Sequence, residues 1–230
     1  MTAPDAAMIF AAGLGTRMGD LTKARPKPLL EVGGQTLLDR AIGLAEQAGT
    51  LTIGVNTHYL ADQIGDHLAD RDIGISHEPE LLDTGGGLRA AVPRLFPQRT
   101  APMFTLNPDV LWLGPNPLST LSQTFDAAHM RALVLLVAPD RAHARNGGGD
   151  FGLDAQGHIT RGGPWIYGGA QILHPGDLTP IPGPVFSLNR LWDRLIETGD
   201  LYGTVYPGHW CDVGTPEALA TAQTLIEAQP

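Results

Sequence analysis

The sequence predicts an α/β protein whose mostly parallel mixed sheet is covered by helices on both faces. Short apolar runs alternate with amphipathic stretches over about the first 140 residues, which is the order that parallel strands and crossover helices require. Of the 230 residues, 43% are hydrophobic and 17% are charged, so the chain can bury a core of domain size. This length fits a single domain, which we expect over residues 1–230.

The elements of the first half follow from the spacing of the apolar residues. Short, mainly apolar runs predict buried strands at Ala6–Ala12, Leu51–Val55, Ile73–Ser76, Met103–Leu106 and Ala132–Ala138. Apolar residues three or four positions apart predict helices at Gln35–Ala48 and, with less defined ends, at about 60–68, 88–95 and 118–128. Ligands of such sheets bind at the carboxyl ends of the strands, so functional residues are expected in the loops that follow them.

After residue 140 the alternation ends and the chain becomes rich in glycine. Beyond that point we predict, in order, a hairpin at Phe151–Thr160, a strand at Trp165–Leu173, a helix at 188–196 capped by Ser187, and a strand at Leu201–Tyr206. Thr215 and Pro216 predict the N-cap and the first residue of a terminal helix. Because the sequence contains no repeat and no flexible linker, residues of about 141–230 are expected to pack on the first half as a second lobe.

Composition argues against several classes of function. The net charge is −9, so the chain lacks the positive field that a general nucleic-acid binder needs. The apolar run Ala6–Ala12 is too short to span a membrane and has no basic leader, so neither an anchor nor a signal peptide is predicted. Cys211 is the only cysteine, which fits a reducing, cytoplasmic compartment.

The strongest motif is a glycine-rich loop directly after the first predicted strand. Glycines in this place let backbone N–H groups approach phosphate oxygens, which indicates an anion-binding loop formed by Ala12, Gly13, Leu14, Gly15 and Thr16. Between Arg17 and Lys27, four of the chain's 15 basic residues fall within eleven positions. Both lysines of the chain, Lys23 and Lys27, lie here, which indicates that the loop needs a compact ammonium. A dinucleotide-binding loop would need a third glycine where the chain has Met18.

Two carboxylates are candidate ligands of a divalent metal ion. Asp109 follows the predicted strand Met103–Leu106, and Asp212 lies in Trp210-Cys211-Asp212. Proteins usually hold Mg²⁺ with one or two carboxylates together with substrate phosphates, so these side chains suit that ion. Position alone leaves open that Asp109 begins a turn and that Asp212 caps the terminal helix.

Together these motifs resemble the signature of the sugar-phosphate nucleotidyltransferases. The resemblance is carried by Gly13–Met18, by Pro26–Leu30 and by the segments around Asp109 and Asp212, and it extends over nearly the whole chain. Within that family the sequence is most similar to the N-acetylmuramate α-1-phosphate uridylyltransferases of bacterial cell-wall recycling. The mannose-1-phosphate guanylyltransferases are the next most similar group. The family more often has a small residue where this chain has Pro108, which removes a backbone N–H.

The resemblance implies an enzyme with a Rossmann-like fold of the nucleotide-diphospho-sugar transferase type. Such an enzyme requires Mg²⁺ and joins an NTP, here UTP, to a sugar-1-phosphate with release of pyrophosphate. The resemblance further implies that Arg17 holds the β- and γ-phosphates, that Lys27 lies at the α-phosphate, and that Asp109 and Asp212 bind the metal. The nucleotide would then lie on the half of about 1–140 and the sugar on the half of about 141–230.

The same resemblance indicates where the base and the sugar are bound. The candidate nucleotide ligands beyond the glycine-rich loop are Asp83, Thr84 and Gly86, in a stretch whose three glycines permit close approach of a base or ribose. The candidate sugar ligands are Asn107, Gly149, Asp154 and Tyr167. The alternative is that the glycines form only a flexible turn, and that the sugar candidates belong to an ordinary loop and strand.

Other substrates and one other class of function stay open at this point. The same chemistry could join mannose-1-phosphate to GTP, or phosphocholine to CTP. A non-catalytic nucleotide-sensing module would bind an NTP without releasing pyrophosphate. The presence of Arg17, Lys27, Asp109 and Asp212 together favours catalysis. Neither a nucleic acid nor a membrane is an expected partner, and the oligomeric state does not follow from the sequence.

Overall fold

The computed structural model describes residues 3–228, and over that range the chain forms fourteen strands and six α-helices. The strands are β1 (Ala6–Phe10), β2 (Glu31–Val32), β3 (Gln35–Thr36), β4 (Thr52–Thr57), β5 (Gly74–His77), β6 (Met103–Leu106), β7 (Val110–Leu113), β8 (Ala132–Val137), β9 (Ala142–His143), β10 (Phe151–Leu153), β11 (Ile159–Arg161), β12 (Ile166–Leu173), β13 (Leu201–Val205) and β14 (His209–Asp212). The helices are α1 (Leu37–Gln47), α2 (Ala61–His67), α3 (Asp83–Leu95), α4 (Pro117–Thr124), α5 (Asn189–Thr198) and α6 (Pro216–Glu227). Short 3₁₀ segments lie at Thr16–Thr22, Lys27–Leu29, Pro139–Arg141 and Pro175–Leu178.

Seven strands form one central sheet in the order β13-β8-β12-β6-β1-β4-β5. Neighbouring strands pair in parallel except β12, which is antiparallel to both β6 and β8. The predicted α/β class with a mostly parallel mixed sheet is therefore confirmed. Because β12 and β13 follow residue 140 in the chain but lie beside β6 and β8, both halves of the sequence build the same sheet.

Two apolar clusters cover the two faces of this sheet. In β1, Ala7 and Ile9 pack on the side of α1, α2 and α4, whereas Ala6 and Met8 pack on the side of α3 and α5. Successive side chains of a strand point to opposite faces, so a strand covered on both sides has to be apolar at every position. Burial of both faces of the sheet therefore explains the uninterrupted apolar runs of the sequence. Within residues 3–228, none of the helices is both long and apolar enough to cross a membrane.

A separate three-stranded sheet, in the order β7-β14-β9, was not predicted from the sequence. Its central strand β14 runs antiparallel to β7 and parallel to β9. Asp212 pairs with Val110, and Cys211 pairs with His143. These strands span two to four residues, which is too short for a periodic pattern, and each pairs with a strand far away in sequence.

The stretch with three consecutive glycines also differs from its prediction. Gly85, Gly86 and Gly87 are buried inside α3, which begins at Asp83 and not near Leu88. The glycines lack a side chain, so other parts of the chain pack directly on the helix backbone at this point.

Two predicted helix starts can be compared with the structure. The terminal helix has Thr215 as N-cap and Pro216 as its first residue, as predicted, and Thr215 Oγ1 accepts the N–H of Ala218 at 3.3 Å. The prediction that Ser187 caps α5 is wrong by one residue, because the N-cap is Leu188, which has no capping side chain. Ser187 Oγ accepts the N–H of Asn189, the first residue of the helix, at 3.2 Å.

Candidate active site

The loop after β1 folds tightly against the Lys27 segment. Gly15 has a φ of 67°, a conformation that glycine adopts readily, and an added Cβ there would lie 3.1 Å from Cβ of Lys27. The carbonyl of Gly15 accepts the N–H of Met18 at 2.9 Å and the hydroxyl of Thr22 at 3.0 Å. On its other side the loop borders a cavity of about 310 Å³, called here the loop cavity. Its walls include Gly13, Leu14, Gly15, Thr16, Arg17, Lys27 and Asp109.

Lys27 is buried and paired with Asp109. Its Nζ donates to Oδ2 of Asp109 at 2.7 Å, and only 9% of the Lys27 side chain is exposed. A buried ammonium is costly unless an acceptor or a counter-charge meets it, and the carboxylate supplies both. The pair places the proposed phosphate ligand and one proposed metal ligand in direct contact.

The three-stranded sheet brings the second aspartate to the same place. The N–H of Val213 donates to the carbonyl of Asp109 at 3.0 Å, so the two aspartates lie on adjacent chain segments. Burial raises the pKa of Asp212, and the negative charge of Asp109 raises it further, while nearby cations oppose the rise. Among the described residues, no three His, Cys, Asp or Glu side chains converge as a metal site. A cation at this point would therefore depend on these two carboxylates and on oxygens from a ligand.

Arg17 completes this charged group. An added Cβ on Gly214 would lie 3.0 Å from Nη1 of Arg17 and 3.1 Å from Oδ1 of Asp212, so both side chains pack against Gly214. Arg17 lines the loop cavity and also another cavity beside α5, which is described below as the α5 cavity. Its guanidinium is thus placed between two compartments of one cleft.

A second cavity, the β5 cavity, lies at the carboxyl ends of β4 and β5 and has a volume of about 430 Å³. Its walls include Ala12, Gly13, Asn56, Glu78, Leu81, Asp83, Thr84, Asn107 and Val185. Asn56 and Glu78 were not predicted as site residues. Both are buried, and Nδ2 of Asn56 donates to Oε1 of Glu78 at 2.7 Å. Asn56 also accepts the N–H of Ala11 at 2.8 Å, and Glu78 accepts the N–H of Leu82 at 2.9 Å. A sequence signal existed, because both are polar residues at the ends of predicted parallel strands.

A third cavity, the α5 cavity, has a volume of about 350 Å³ and lies on the other side of the aspartates. Its walls include Arg17, Asn107, Asp109, Arg145, Asp150, Arg161, Tyr167, Asn189, Trp192 and Asp212. The ring of Tyr167 packs 4.7 Å from the ring of Trp192, centroid to centroid, and burial raises the pKa of its hydroxyl well above the usual range. Tyr167 therefore presents its ring to the cavity and keeps its hydroxyl in the interior. Arg145 and Asp150, like Asn56 and Glu78, were missed by the sequence analysis.

Three predicted ligands do not line any of these cavities. Gly86 lies inside α3, where its N–H donates to the carbonyl of Phe186 at 2.9 Å. Gly149 packs against the backbone of Pro164 with no room for a Cβ. Asp154 is exposed in the β10–β11 turn, where its Oδ1 accepts two backbone N–H groups at 2.8 and 2.9 Å. The structure places the other predicted residues on the cleft, so these three are set apart by their local packing and turn geometry.

A family model described as the MobA-like NTP transferase domain matches residues 7–212 of the chain. The chain belongs to the MobA-like NTP transferase family. This NTP transferase is 35% identical to the N-acetylmuramate alpha-1-phosphate uridylyltransferase of Caulobacter vibrioides, over 98% of the chain and 99% of that protein. It is 32% identical to the enzyme of the same name from Neisseria meningitidis serogroup B, over 96% of the chain and 98% of that protein. It is also 26% identical to a probable mannose-1-phosphate guanylyltransferase of Oryza sativa subsp. japonica, over 95% of the chain and 64% of that protein.

Solved structures show that the fold of this NTP transferase is shared. HddC from Yersinia pseudotuberculosis, complexed with GMP-PN, has a TM-score of 0.77 at 24% identity. The match covers 96% of the present chain and 99% of the HddC chain. A putative glucose-1-phosphate thymidylyltransferase from Bacillus anthracis, in complex with a sucrose, has a TM-score of 0.82 at 16% identity. The match covers 98% of the present chain and 96% of the thymidylyltransferase chain. With the two full-length relatives, family membership makes this NTP transferase a sugar-phosphate nucleotidyltransferase. The interpretation as a non-catalytic module is not retained.

Proposed function

We propose that the protein transfers the uridylyl group of UTP to N-acetylmuramate α-1-phosphate, with release of pyrophosphate, in cell-wall recycling. The observation that carries this proposal is the convergence of Arg17, Lys27, Asp109 and Asp212 between the β5 cavity and the α5 cavity. Identity of 35% over nearly all of both chains to a uridylyltransferase of this specificity supports the choice of substrates. A cytoplasmic location is part of the proposal and suits an enzyme that consumes an NTP.

The proposed reaction is one in-line displacement at the α-phosphorus of UTP. A phosphate oxygen of the sugar-1-phosphate attacks, so a new O–Pα bond forms. The bond between Pα and the oxygen that bridges to Pβ breaks, and its electron pair leaves with pyrophosphate. The attacking phosphate monoester has a second pKa of about 6 and is largely dianionic at neutral pH, so no general base is needed. Catalysis then consists of positioning and of stabilising negative charge.

Residues of the loop cavity are suited to that task. Backbone N–H groups of the glycine-rich loop and the fork of Arg17 would hold the β- and γ-phosphates. The buried ammonium of Lys27 would stabilise the charge that develops at the α-phosphate. Lys27 lines only the loop cavity, whereas Arg17 and Asp109 line both the loop cavity and the α5 cavity, so the two substrates would meet beside Arg17 and Asp109.

Asp109 and Asp212 would hold Mg²⁺ in this proposal. The raised pKa of Asp212 fits a cation site, because a bound cation relieves the repulsion between two carboxylates that burial brings together. When bound, Mg²⁺ supplies charge neutralisation and orientation of the phosphate oxygens.

The β5 cavity supports a base that carries a ring N–H. Glu78 lies on its wall, and its two carboxylate oxygens accept from Asn56 and Leu82, which leaves lone pairs for one further donor. Uracil, thymine and guanine each present a ring N–H donor, whereas cytosine does not. This argues against phosphocholine and CTP. It leaves mannose-1-phosphate and GTP as the second candidate pair, favoured by the 26% identity to a guanylyltransferase.

The test is pyrophosphate release with Mg²⁺, with UTP, GTP, CTP and dTTP each paired with N-acetylmuramate 1-phosphate and with mannose-1-phosphate. We expect turnover with UTP and N-acetylmuramate 1-phosphate, and the protein without Mg²⁺ is the control. Turnover only with GTP and mannose-1-phosphate would replace the substrate assignment. No turnover with any pair would contradict both candidates.

A further inference from the structure

The three-stranded sheet places Arg145 beside Asp212. Strand β9 runs parallel to β14 with His143 paired to Cys211, so the chain leaves β9 level with the end of β14. On the other side of β14, Val110 of β7 pairs with Asp212. The guanidinium of Arg145 and both aspartate carboxylates consequently line the α5 cavity.

Arg145 is held in place but keeps free donor capacity. Its Nη2 donates to both carboxylate oxygens of Asp150, at 3.1 Å to Oδ1 and 3.4 Å to Oδ2. Oδ2 of Asp150 also accepts the N–H of Tyr167 at 2.9 Å. Within residues 3–228 Nη1 of Arg145 makes no hydrogen bond, and 29% of the side chain is exposed, so the guanidinium keeps donors that a ligand in the α5 cavity can reach. A positioned guanidinium with free donors on a cavity wall is suited to an anionic ligand with oxygen acceptors.

We infer that Arg145 binds the phosphate of the incoming sugar-1-phosphate, with Asp150 as the residue that positions its guanidinium. The inference rests on the proposed function and assigns the receiving side of that site. Arg17 and Lys27 line the loop cavity, where the phosphates of the NTP would lie. Arg17 also reaches the α5 cavity, but Arg145 and Arg161 line that cavity and neither of the other two, so these two are the cations that face only the second anionic substrate.

N-acetylmuramate 1-phosphate carries two anionic groups, the phosphate and the carboxylate of its lactyl ether. The phosphate has to reach the α-phosphorus beside Lys27 and the aspartates, and Arg145 lines the same cavity as both aspartates. Arg161, another arginine on the same wall, already donates to Asp193 at 2.7 Å and to the carbonyl of Asn189 at 3.0 Å. The position of Arg145 therefore fits the phosphate and not the carboxylate.

The experiment measures kcat and KM for both substrates in the wild type and in Arg145→Gln, Arg145→Lys and Asp150→Asn. Arg131→Gln is the matched control, because Arg131 forms an arginine–aspartate pair with Asp177 outside the cleft, at 2.6 Å. We expect Arg145→Gln to raise KM for the sugar-1-phosphate about tenfold or more and to leave KM for UTP within about twofold. Arg145→Lys keeps the charge but loses the planar fork, so its KM for the sugar-1-phosphate should lie between those of the wild type and Arg145→Gln. Asp150→Asn shifts the same KM in the same direction by a smaller factor.

A second arm separates the phosphate from the carboxylate. N-acetylglucosamine 1-phosphate lacks the lactyl group, and its inhibition constant against N-acetylmuramate 1-phosphate is measured in each variant. Weaker inhibition in Arg145→Gln supports the phosphate contact, whereas unchanged inhibition together with a raised KM overturns it in favour of the carboxylate. If Arg145→Gln melts well below the wild type, Arg145→Lys and Asp150→Asn decide the question. A wild type with no turnover contradicts the proposed function, whereas an active wild type with unchanged KM in all three variants contradicts this inference alone.

Discussion

Nζ of Lys27 lies 2.7 Å from Oδ2 of Asp109, across 82 positions of sequence. In the proposed reaction these two groups have different partners, since Lys27 stabilises the α-phosphate and Asp109 binds a cation. Without substrates each neutralises the other, which keeps the buried ammonium from being unpaired. Substrate binding would thus exchange one ion pair for two new ones at the same point.

The role of Lys27 is tested by removing its charge. We expect Lys27→Met to lower kcat by roughly 100-fold or more, because it deletes a preorganised cation at the reacting phosphate. The matched control is Lys23→Met, which changes the only other lysine of the chain, a side chain that is 77% exposed and paired with Asp20. The control should stay within about threefold of wild type, since exposed ion pairs contribute little. Near-normal kcat in Lys27→Met would remove Lys27 from the mechanism.

The carboxylate of Asp212 is predicted to lower the stability of the folded protein at pH 7 while being required for activity. Its pKa is raised, so folding favours its protonated form, and the stability it contributes is present below its unfolded value of 3.8. That contribution is lost as the pH rises through the raised pKa. Asp212→Asn should therefore melt a few degrees higher than wild type at pH 7 without Mg²⁺, while losing activity and any Mg²⁺-dependent rise in Tm.

Asp154→Asn provides a control of opposite sign. The backbone N–H of His158 lowers the pKa of Asp154, with further hydrogen bonds in the same turn, so this carboxylate contributes stability above pH 3.8. The contribution of Asp154 is lost as the pH falls through its lowered pKa. At pH 7 Asp154→Asn should melt lower than wild type and keep its activity. Thermal melts of both variants between pH 4.5 and pH 7.5 check the two signs, and a lower Tm in Asp212→Asn at pH 7 would refute the account of Asp212.

Two glycines of the phosphate loop are expected to respond differently to alanine. Gly15 has a positive φ and its missing Cβ faces Lys27 and Thr22, so Gly15→Ala should lower the free energy of unfolding by about 1 kcal/mol or more. An added Cβ on Gly13 meets nothing within 4 Å, so Gly13→Ala should change stability by less than about 0.5 kcal/mol. It would nevertheless stand on the wall of the loop cavity and raise KM for UTP. Urea titrations and steady-state kinetics separate the two effects, and a normal KM in Gly13→Ala would argue against phosphate binding by the loop.

The absence of a side chain at Gly87 leaves the space that the buried Asn56–Glu78 pair occupies. A Cβ at this position would overlap with Oε1 of Glu78, the atom that accepts from Asn56. We expect Gly87→Ala to lower the free energy of unfolding by about 1–3 kcal/mol through overpacking. Gly43→Ala is the control, because Gly43 lies inside α1 with open space around it, and alanine there should stabilise by about 0.5–1 kcal/mol. Equal effects of the two changes, measured by urea unfolding, would show that the Glu78 contact does not matter.

Local signals in the sequence predicted much of the fold. The strand Met103–Leu106 has the bounds that its apolar run indicates, and the terminal helix starts at Thr215 and Pro216 as their capping preferences require. The strands β7, β9 and β14 were missed, because runs of two to four residues carry no period. The interior of α3 was missed because glycine disfavours helices locally, and close packing overrode that preference.

The sequence by itself determined the α/β class and the order of the main strands and helices, and it singled out Arg17, Lys27, Asp109 and Asp212 as candidate site residues. These follow from periodicity, capping and motifs, which neighbouring residues encode. Only the tertiary structure decided that Arg145 and Asp212 line the same cavity and that Glu78 is a buried acceptor. Those relationships depend on the pairing of strands far apart in sequence, such as Val110 with Asp212. Such pairing is not set by nearest neighbours along the chain.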